Sequence, residues 1–257
     1  MNKKIAIITG ASGGIGKEFT KLMLLEEVDE IWVIARNMEK LTVLRNDLGT
    51  KIIPIAKDLS KSAERITMNE MLKNTNPNIA YLINNVGVAK MGSYKDFSVE
   101  EIEDTISINC STMAILCTIC IPYMSKGSRI LNISSAAAFQ PLPYLNLYSA
   151  TKVFERYYSR ALNRELKGTG ITATAVCPSW VDTDLLTKEI NGRPVKFLGL
   201  ITADKVVKKA LKDAKKGKDM SVCTLLVKYE HLFAKMLPQK LLMNIWIQRV
   251  KKYKYLN

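Results

Sequence analysis

The chain has 257 residues, 47% of them apolar, and a net charge of +14 from 38 basic and 24 acidic side chains. That length supports one sizeable α/β core, and 1–257 reads as a single domain with no low-complexity linker and no internal repeat. One histidine, His231, excludes a zinc hydrolase or zinc dehydrogenase, so no metal site is expected; five cysteines, an odd number scattered through apolar segments, argue against a disulfide framework and for a reducing, cytoplasmic setting.

Lys3 and Lys4 precede an apolar run that ends at Gly10, too short for a signal-peptide core, so it reads as a first buried strand. β-rich runs recur at 4–9, 31–35, 51–56, 80–84, 129–134, 172–177 and 220–224, with helix-like patterns between them. This alternation predicts βαβ units around a parallel sheet, an α/β fold of about seven strands. Between the fourth and fifth strands, Ser98 with Glu101 three residues later forms a capping box ahead of Ile102 and Ile106. The uncharged stretch 109–125, interrupted by Ser111, Thr112 and Thr118 and closing near Pro122, reads as a core helix shorter than a membrane span. Cys117 and Cys120 within it read as core packing rather than a redox or metal pair. Thr202 heads a helix whose apolar face is Val206, Val207, Ala210, Leu211 and Ala214, with Gly217 as its stop. His231, beside Leu232 and Phe233, reads as a structural or surface residue rather than a catalytic base.

Chemistry enters at the first turn. Thr9, Gly10, Ala11, Ser12, Gly13, Gly14, Ile15 and Gly16 leave the first strand and open a helix, the setting a glycine-rich nucleotide loop needs. Glycines let the backbone turn tightly and approach a pyrophosphate, whose charge meets the N–H groups and positive dipole of the helix end. The second strand ends at Ala35 and Arg36, where a site preferring NAD would carry a carboxylate for the ribose 2′-hydroxyl. A guanidinium instead grips a 2′-phosphate, which favours NADP(H) over NAD(H); the alternative is that Arg36 only closes a solvated strand end. Tyr148 and Lys152, four residues apart in YSATK, share one face of a helix. A free phenol, ionising near about 10, exchanges protons poorly at neutrality until a cation stabilises its phenolate, and Lys152 supplies one.

The TGxxxGxG pattern at 9–16 resembles the cofactor loop of the short-chain dehydrogenases/reductases, and the resemblance continues over about the first 185 residues. Asp58 and Leu59, in KDLS, look like the family's adenine-contacting pair. Asn84, Asn85, Val86 and Gly87 match its NNAG motif with Val in place of Ala. Tyr148 and Lys152 match YxxxK, with Ser135 thirteen residues earlier at the end of the NISS strand and Asn109 in the preceding long helix. The resemblance implies a Rossmann-type doubly wound sheet and four roles. In reduction Tyr148 donates a proton to the substrate oxygen, Ser135 polarises that oxygen, Lys152 also binds the nicotinamide ribose, and Asn109 holds a relay water. The plain alternatives are a strand cap for Ser135, a half-buried aromatic for Tyr148, a solvated charge for Lys152 and a helix kink for Asn109. Pro178, Ser179, Trp180, Val181, Asp182 and Thr183 resemble the PGxVxT segment whose backbone and threonine hold the nicotinamide carboxamide. Ser179 replaces its glycine and would be strained if the position needed a positive φ.

Residues 183–201 occupy the family's position for a substrate lid, and Leu185, Leu186, Ile190, Phe197, Leu198 and Leu200 lean toward an apolar steroid-, acyl- or lipid-like carbonyl or alcohol. From 205 to 257 there are 14 basic and 3 acidic residues, a net of +11, so the basic excess is local. Residues 224–257 form a C-terminal extension that reads as two helical pieces broken near Pro238. Several settings stay open for it: a solvated basic face, a peripheral membrane contact through Leu241, Leu242, Ile245, Trp246 and the lysines, or an acidic substrate handle. Nucleic acid is not expected, since no recognised motif accompanies the charge. The resemblance implies a homodimer built on the helix around Ile115 and the Tyr148 helix, with a tetramer as the larger option. Two functions result: an oxidoreductase interconverting a ketone or aldehyde with an alcohol, or a catalytically silent NADP-binding redox sensor or partner-binding protein. The complete set Asn109, Ser135, Tyr148 and Lys152 favours the first.

Overall fold

The structure is a computed structural model and describes residues 2–183, 186, 189–190, 193–194, 197 and 199–252. One parallel sheet holds β1 (Lys4–Thr9), β2 (Glu30–Ala35), β3 (Ile52–Ala56), β4 (Asn78–Asn84), β5 (Arg129–Ile133), β6 (Thr172–Cys177) and β7 (Met220–Val222). Their spatial order is β7-β6-β5-β4-β1-β2-β3. The strands read as apolar runs because both faces are covered. Ala6, Ile8, Ile31 and Val33 pack against α1 (Gly14–Met23), α2 (Met38–Leu48) and α7 (Ala203–Lys215). Ile5, Ile7, Trp32 and Ile34 face α3 (Ser62–Thr75), α5 (Thr112–Cys120) and α6 (Asn146–Glu165). The chain reverses its direction of winding between β1 and β4, so a crevice opens at their carboxyl ends, where ligands of such sheets bind.

The expected capping box opens α4 (Val99–Ile106): Ser98 Oγ accepts from Glu101 N, and Ser98 N donates to the Glu101 carboxylate at 3.0 Å. A π-turn, Ser107–Ser111, then joins α4 to α5 without a break. The uncharged stretch was therefore too short a measure of this helix. Val99–Tyr123 spans 25 residues and is long and apolar enough, by length and composition, to cross a membrane. In this fold Leu116, Cys117 and Cys120 are fully buried against the sheet, and burial pushes the Cys117 thiol up to about 12, as core packing requires.

Thr202 precedes α7 as expected, the helix buries Val206, Val207, Ala210, Leu211 and Ala214, and Gly217 follows with φ +69°. The extension folds as α8 (Leu225–Met236) and α9 (Gln239–Lys252) on either side of Pro238. Val227, Leu242 and Val250 are its buried anchors.

Candidate active site

Three loops meet at the crevice. Gly10 and Gly14 have φ of +64° and +52°, conformations that L side chains rarely adopt. A Cβ on Gly16 would overlap the Gly10 carbonyl, so the first turn can close only around glycine. Asn85 Nδ2 donates to the carbonyls of Thr9 and Gly10, each at 3.1 Å, and Thr9 Oγ1 accepts from the N–H groups of Asn85 and Val86, each at 3.0 Å. Thr9 and Asn85 thus fasten the glycine loop to the turn after β4. A Cβ on Gly14 would touch Thr183 Cγ2 at 3.1 Å, which places the third segment, Val181–Asp182 and Thr183, against the same loop. Gly13, the N-cap of α1, offers no side-chain cap, and a Cβ on it would meet nothing within 4 Å. Open space beside the amino end of α1, rimmed by backbone that only glycine allows, fits a pyrophosphate. Ser12 and Ile15 complete this turn, with Ile15 packed on the core below.

Arg36 is exposed just beyond β2, and Asp58 lies just beyond β3. Burial works against the Asp58 carboxylate, yet hydrogen bonds from Ser60 N and Oγ at 3.1 and 2.8 Å, with Arg36 nearby, hold it below the usual range. Leu59 differs from a simple adenine contact: it is 3% exposed, and its carbonyl accepts from Arg65 Nη1 and Thr112 Oγ1, each at 2.6 Å.

Asn109, in the π-turn, is fully buried. Its side chain accepts from Val88 N at 2.9 Å and donates to the Val88 carbonyl at 3.0 Å and to Thr151 Oγ1 at 2.9 Å. π-turns of this kind recur at functional sites because they displace one residue from the helical register. Tyr148 stands half-buried in the first turn of α6, and Lys152 Nζ lies 5.5 Å from the centroid of its ring. The ammonium donates to the Ile133 carbonyl at 2.8 Å and to both Glu155 oxygens at 2.9 Å. A Cβ on Gly87 would sit 3.4 Å from Lys152 Nζ and 3.3 Å from Asn109 Oδ1, so this glycine keeps the backbone against both. Ser135 Oγ accepts from Ala137 N at 3.1 Å and caps the short turn Ala136–Phe139, an engagement that leaves its hydroxyl proton free to be donated. The Pro178 carbonyl accepts from Ala136 N at 2.8 Å and ties the Thr183 segment to the Ser135 turn.

A family model described as short chain dehydrogenase matches residues 4–193. The chain belongs to the short-chain dehydrogenase family. It is 32% identical over 226 residues to a 17-beta-hydroxysteroid dehydrogenase type 3 of Danio rerio, covering 83% of this chain and 71% of that protein. It is 33% identical over 196 residues to a very-long-chain 3-oxoacyl-CoA reductase of Anas platyrhynchos, covering 70% of this chain and 60% of that one. Among solved structures, a short-chain dehydrogenase from Sphingobium yanoikuyae in complex with NADPH superposes with a TM-score of 0.78 at 26% identity, over 91% of this chain and 93% of the other. The fold is the family's Rossmann-type sheet, and its members are oxidoreductases that bind nicotinamide cofactors.

In this short-chain dehydrogenase the serine at 179 brings no strain, because its φ is not positive. Residues that sequence reading passed over include Thr151, which receives Asn109, and Ser134, whose hydroxyl donates to the Lys152 carbonyl at 2.7 Å. Glu155 was also missed, although its place three residues after Lys152 on one helix was a usable signal. Trp180 packs on Phe197 with ring centroids 4.9 Å apart and planes tilted by 41°, while of the segment 183–201, expected as a lid, Leu185 and Leu198 lie outside the described residues. His231 rests on the Phe139 ring at 4.3 Å; burial, then Lys235, Arg156 and Arg160, hold it below the ordinary histidine value, a structural neighbour of the Ser135 turn.

Proposed function

We propose that this short-chain dehydrogenase interconverts an apolar ketone or aldehyde with its alcohol, using NADP(H). The observation that carries the reading is the Lys152 ammonium, buried one helical turn from Tyr148 and against Gly87, in the turn after β4 that Asn85 fastens to the glycine loop. The bound dinucleotide supplies the hydride in reduction and takes it up in oxidation. The Ser135 hydroxyl donates to the substrate oxygen and fixes its position. Tyr148 gives that oxygen its proton, and the Lys152 ammonium stabilises the negative charge left on the phenol while also meeting the ribose hydroxyls. Asn109, whose side chain is engaged by Val88 and Thr151, contributes its backbone carbonyl to a water that passes the next proton inward from solvent. Thr183 and the backbone of Val181 receive the carboxamide, and Pro178 holds that segment beside Ser135. Leu59 and Asp58 border the adenine, while Arg36 receives the 2′-phosphate and so selects NADP(H).

An apolar substrate is supported by the aromatic pair Trp180 and Phe197 at the lid and by the steroid and acyl-CoA relatives. A homodimer is supported by Ile102 and Ile106 on α4 with Phe154 and Tyr157 on α6, all more than a third exposed. The extension supports a cytoplasmic protein that rests on an anionic lipid surface. α8 turns Leu225, Tyr229, Leu232, Phe233 and Met236 outward, each at least half exposed, beside exposed Lys228, Lys235 and Lys240. Two such faces would repel each other, whereas phosphate headgroups would attract them. Sedimentation with anionic but not neutral vesicles tests this contact, and no sedimentation with either refutes it.

The activity itself is tested by NADPH consumption over steroid, acyl and small aliphatic ketones. Turnover with the apolar ketones is expected. NADPH binding without turnover on any of them would leave the silent redox sensor as the better account.

A further inference from the structure

We propose that Glu155 is a positioning residue for the proton-transfer site, a buried counter-ion that fixes the Lys152 ammonium where both Tyr148 and the dinucleotide ribose can use it. This rests on the reading of Tyr148 and Lys152 given above. The Lys152 and Glu155 side chains are 6% and 4% exposed, far below what solvated helix charges show. An ammonium buried to this degree is costly unless it is paired and hydrogen-bonded. Three acceptors surround Nζ at hydrogen-bond distance, the Ile133 carbonyl and the two Glu155 oxygens, and they match its three protons. The head group is therefore oriented before any cofactor arrives, and a ribose hydroxyl needs to replace only one carboxylate oxygen.

The charges around the pair are few. Among the described residues, the titratable groups facing Glu155 besides Lys152 are Cys110 from the π-turn and Cys177 from the end of β6, and Tyr148 acts on the same ammonium. Burial pushes the two thiols up to about 11 and about 12, so both are neutral at ordinary pH. Arg156, the next residue on α6, lies over the rings of Phe139 and Tyr157 and acts on Cys177. Burial acts against the charge on Lys152, yet Glu155 first and Tyr148 next hold it above the ordinary lysine value. Burial likewise pushes the Glu155 carboxyl up to about 7 against the pull of Lys152, so the grip loosens as pH falls below neutrality.

The test uses the full-length protein with carbon-13 at the lysine Cε, the Lys152 resonance being assigned by its loss in Lys152→Arg. Glu155→Gln keeps the shape and removes the charge; Glu155→Asp keeps the charge. In Glu155→Gln the Lys152 titration is expected to fall by roughly one pH unit or more, and Glu155→Asp should restore most of that fall. The alkaline loss of NADPH binding, read by nicotinamide fluorescence, should shift in the same direction. A Lys152 titration identical in wild type and Glu155→Gln overturns the proposal, as does a resonance that stays fully charged to the alkaline limit in both. A purely structural Glu155 would lower the melting temperature of both variants and leave the titration where it was. If the wild type binds no dinucleotide, the functional reading fails, while the cofactor-free titration still decides the role of Glu155.

Discussion

Trp246 Nε1 donates to the Pro143 carbonyl at 2.8 Å, which fixes α9 to the loop leading into the Tyr148 helix. That loop is held in an unusual shape: Tyr144 has φ +65°, its carbonyl accepts from Gly92 N at 2.8 Å, and Leu142 and Leu145 are buried on either side. A non-glycine residue in this region costs about 1–3 kcal/mol and persists only where its surroundings hold it. The extension is one of those surroundings, since α9 holds the loop that leads into the Tyr148 helix.

Trp246→Phe keeps an aromatic side chain, smaller than the indole, and loses the hydrogen bond, worth about 1 kcal/mol. A fall in melting temperature of roughly 2–4 °C is expected, with the substrate KM rising severalfold and kcat changing less. Thermal unfolding and steady-state kinetics check this together; unchanged KM would show that the loop keeps its shape without the Trp246 hydrogen bond.

Arg36→Ala should lower the NADPH-to-NADH ratio of kcat/KM by at least about tenfold, as the loss of a charge-assisted hydrogen bond of roughly 1.5–3 kcal/mol requires. An unchanged ratio would remove the basis for NADP(H) preference.

Asp213 joins α7 to β7. Its carboxylate accepts from Ser221 Oγ at 2.8 Å and pairs with Lys218 at 2.8 Å and with Lys209. Burial works against the charge, but Lys209, Lys218 and Ser221 together hold the carboxyl below its ordinary 3.8. Because the folded value is the lower one, the stabilisation is present above 3.8 and is lost as pH falls through the folded value. Asp213→Asn should therefore be less stable than wild type by about 2 kcal/mol at pH 7, with the two converging in acid. Urea midpoints across pH measure it, and a gap independent of pH would contradict it.

Much of this architecture was legible in the residues themselves. The seven strands announce themselves as short apolar runs because helices cover both faces of the sheet, and the glycine loop does so because its turn closes only without a Cβ at Gly16. The start of the long helix was legible in the Ser98 and Glu101 capping box, but its continuity was not, since hydropathy records apolar content and not the register change at Ser107–Ser111 that joins a charged turn to an uncharged one. Glu155 escaped for a related reason: a carboxylate three residues from a lysine reads as an exposed helix pair until the strand ends above it are in place. Leu59 reads as part of a cofactor motif, and residue type alone did not reveal its second, structural place: its side chain lies in the core and its carbonyl accepts from Arg65 and Thr112.

The most direct measurement is the rate of NADPH-dependent ketone reduction by Tyr148→Phe, beside its affinity for NADPH. The variant should bind NADPH within a few-fold of wild type and lose turnover by about a hundredfold or more, since only the transferable proton has been removed. Turnover at the wild-type rate in that variant would contradict the account.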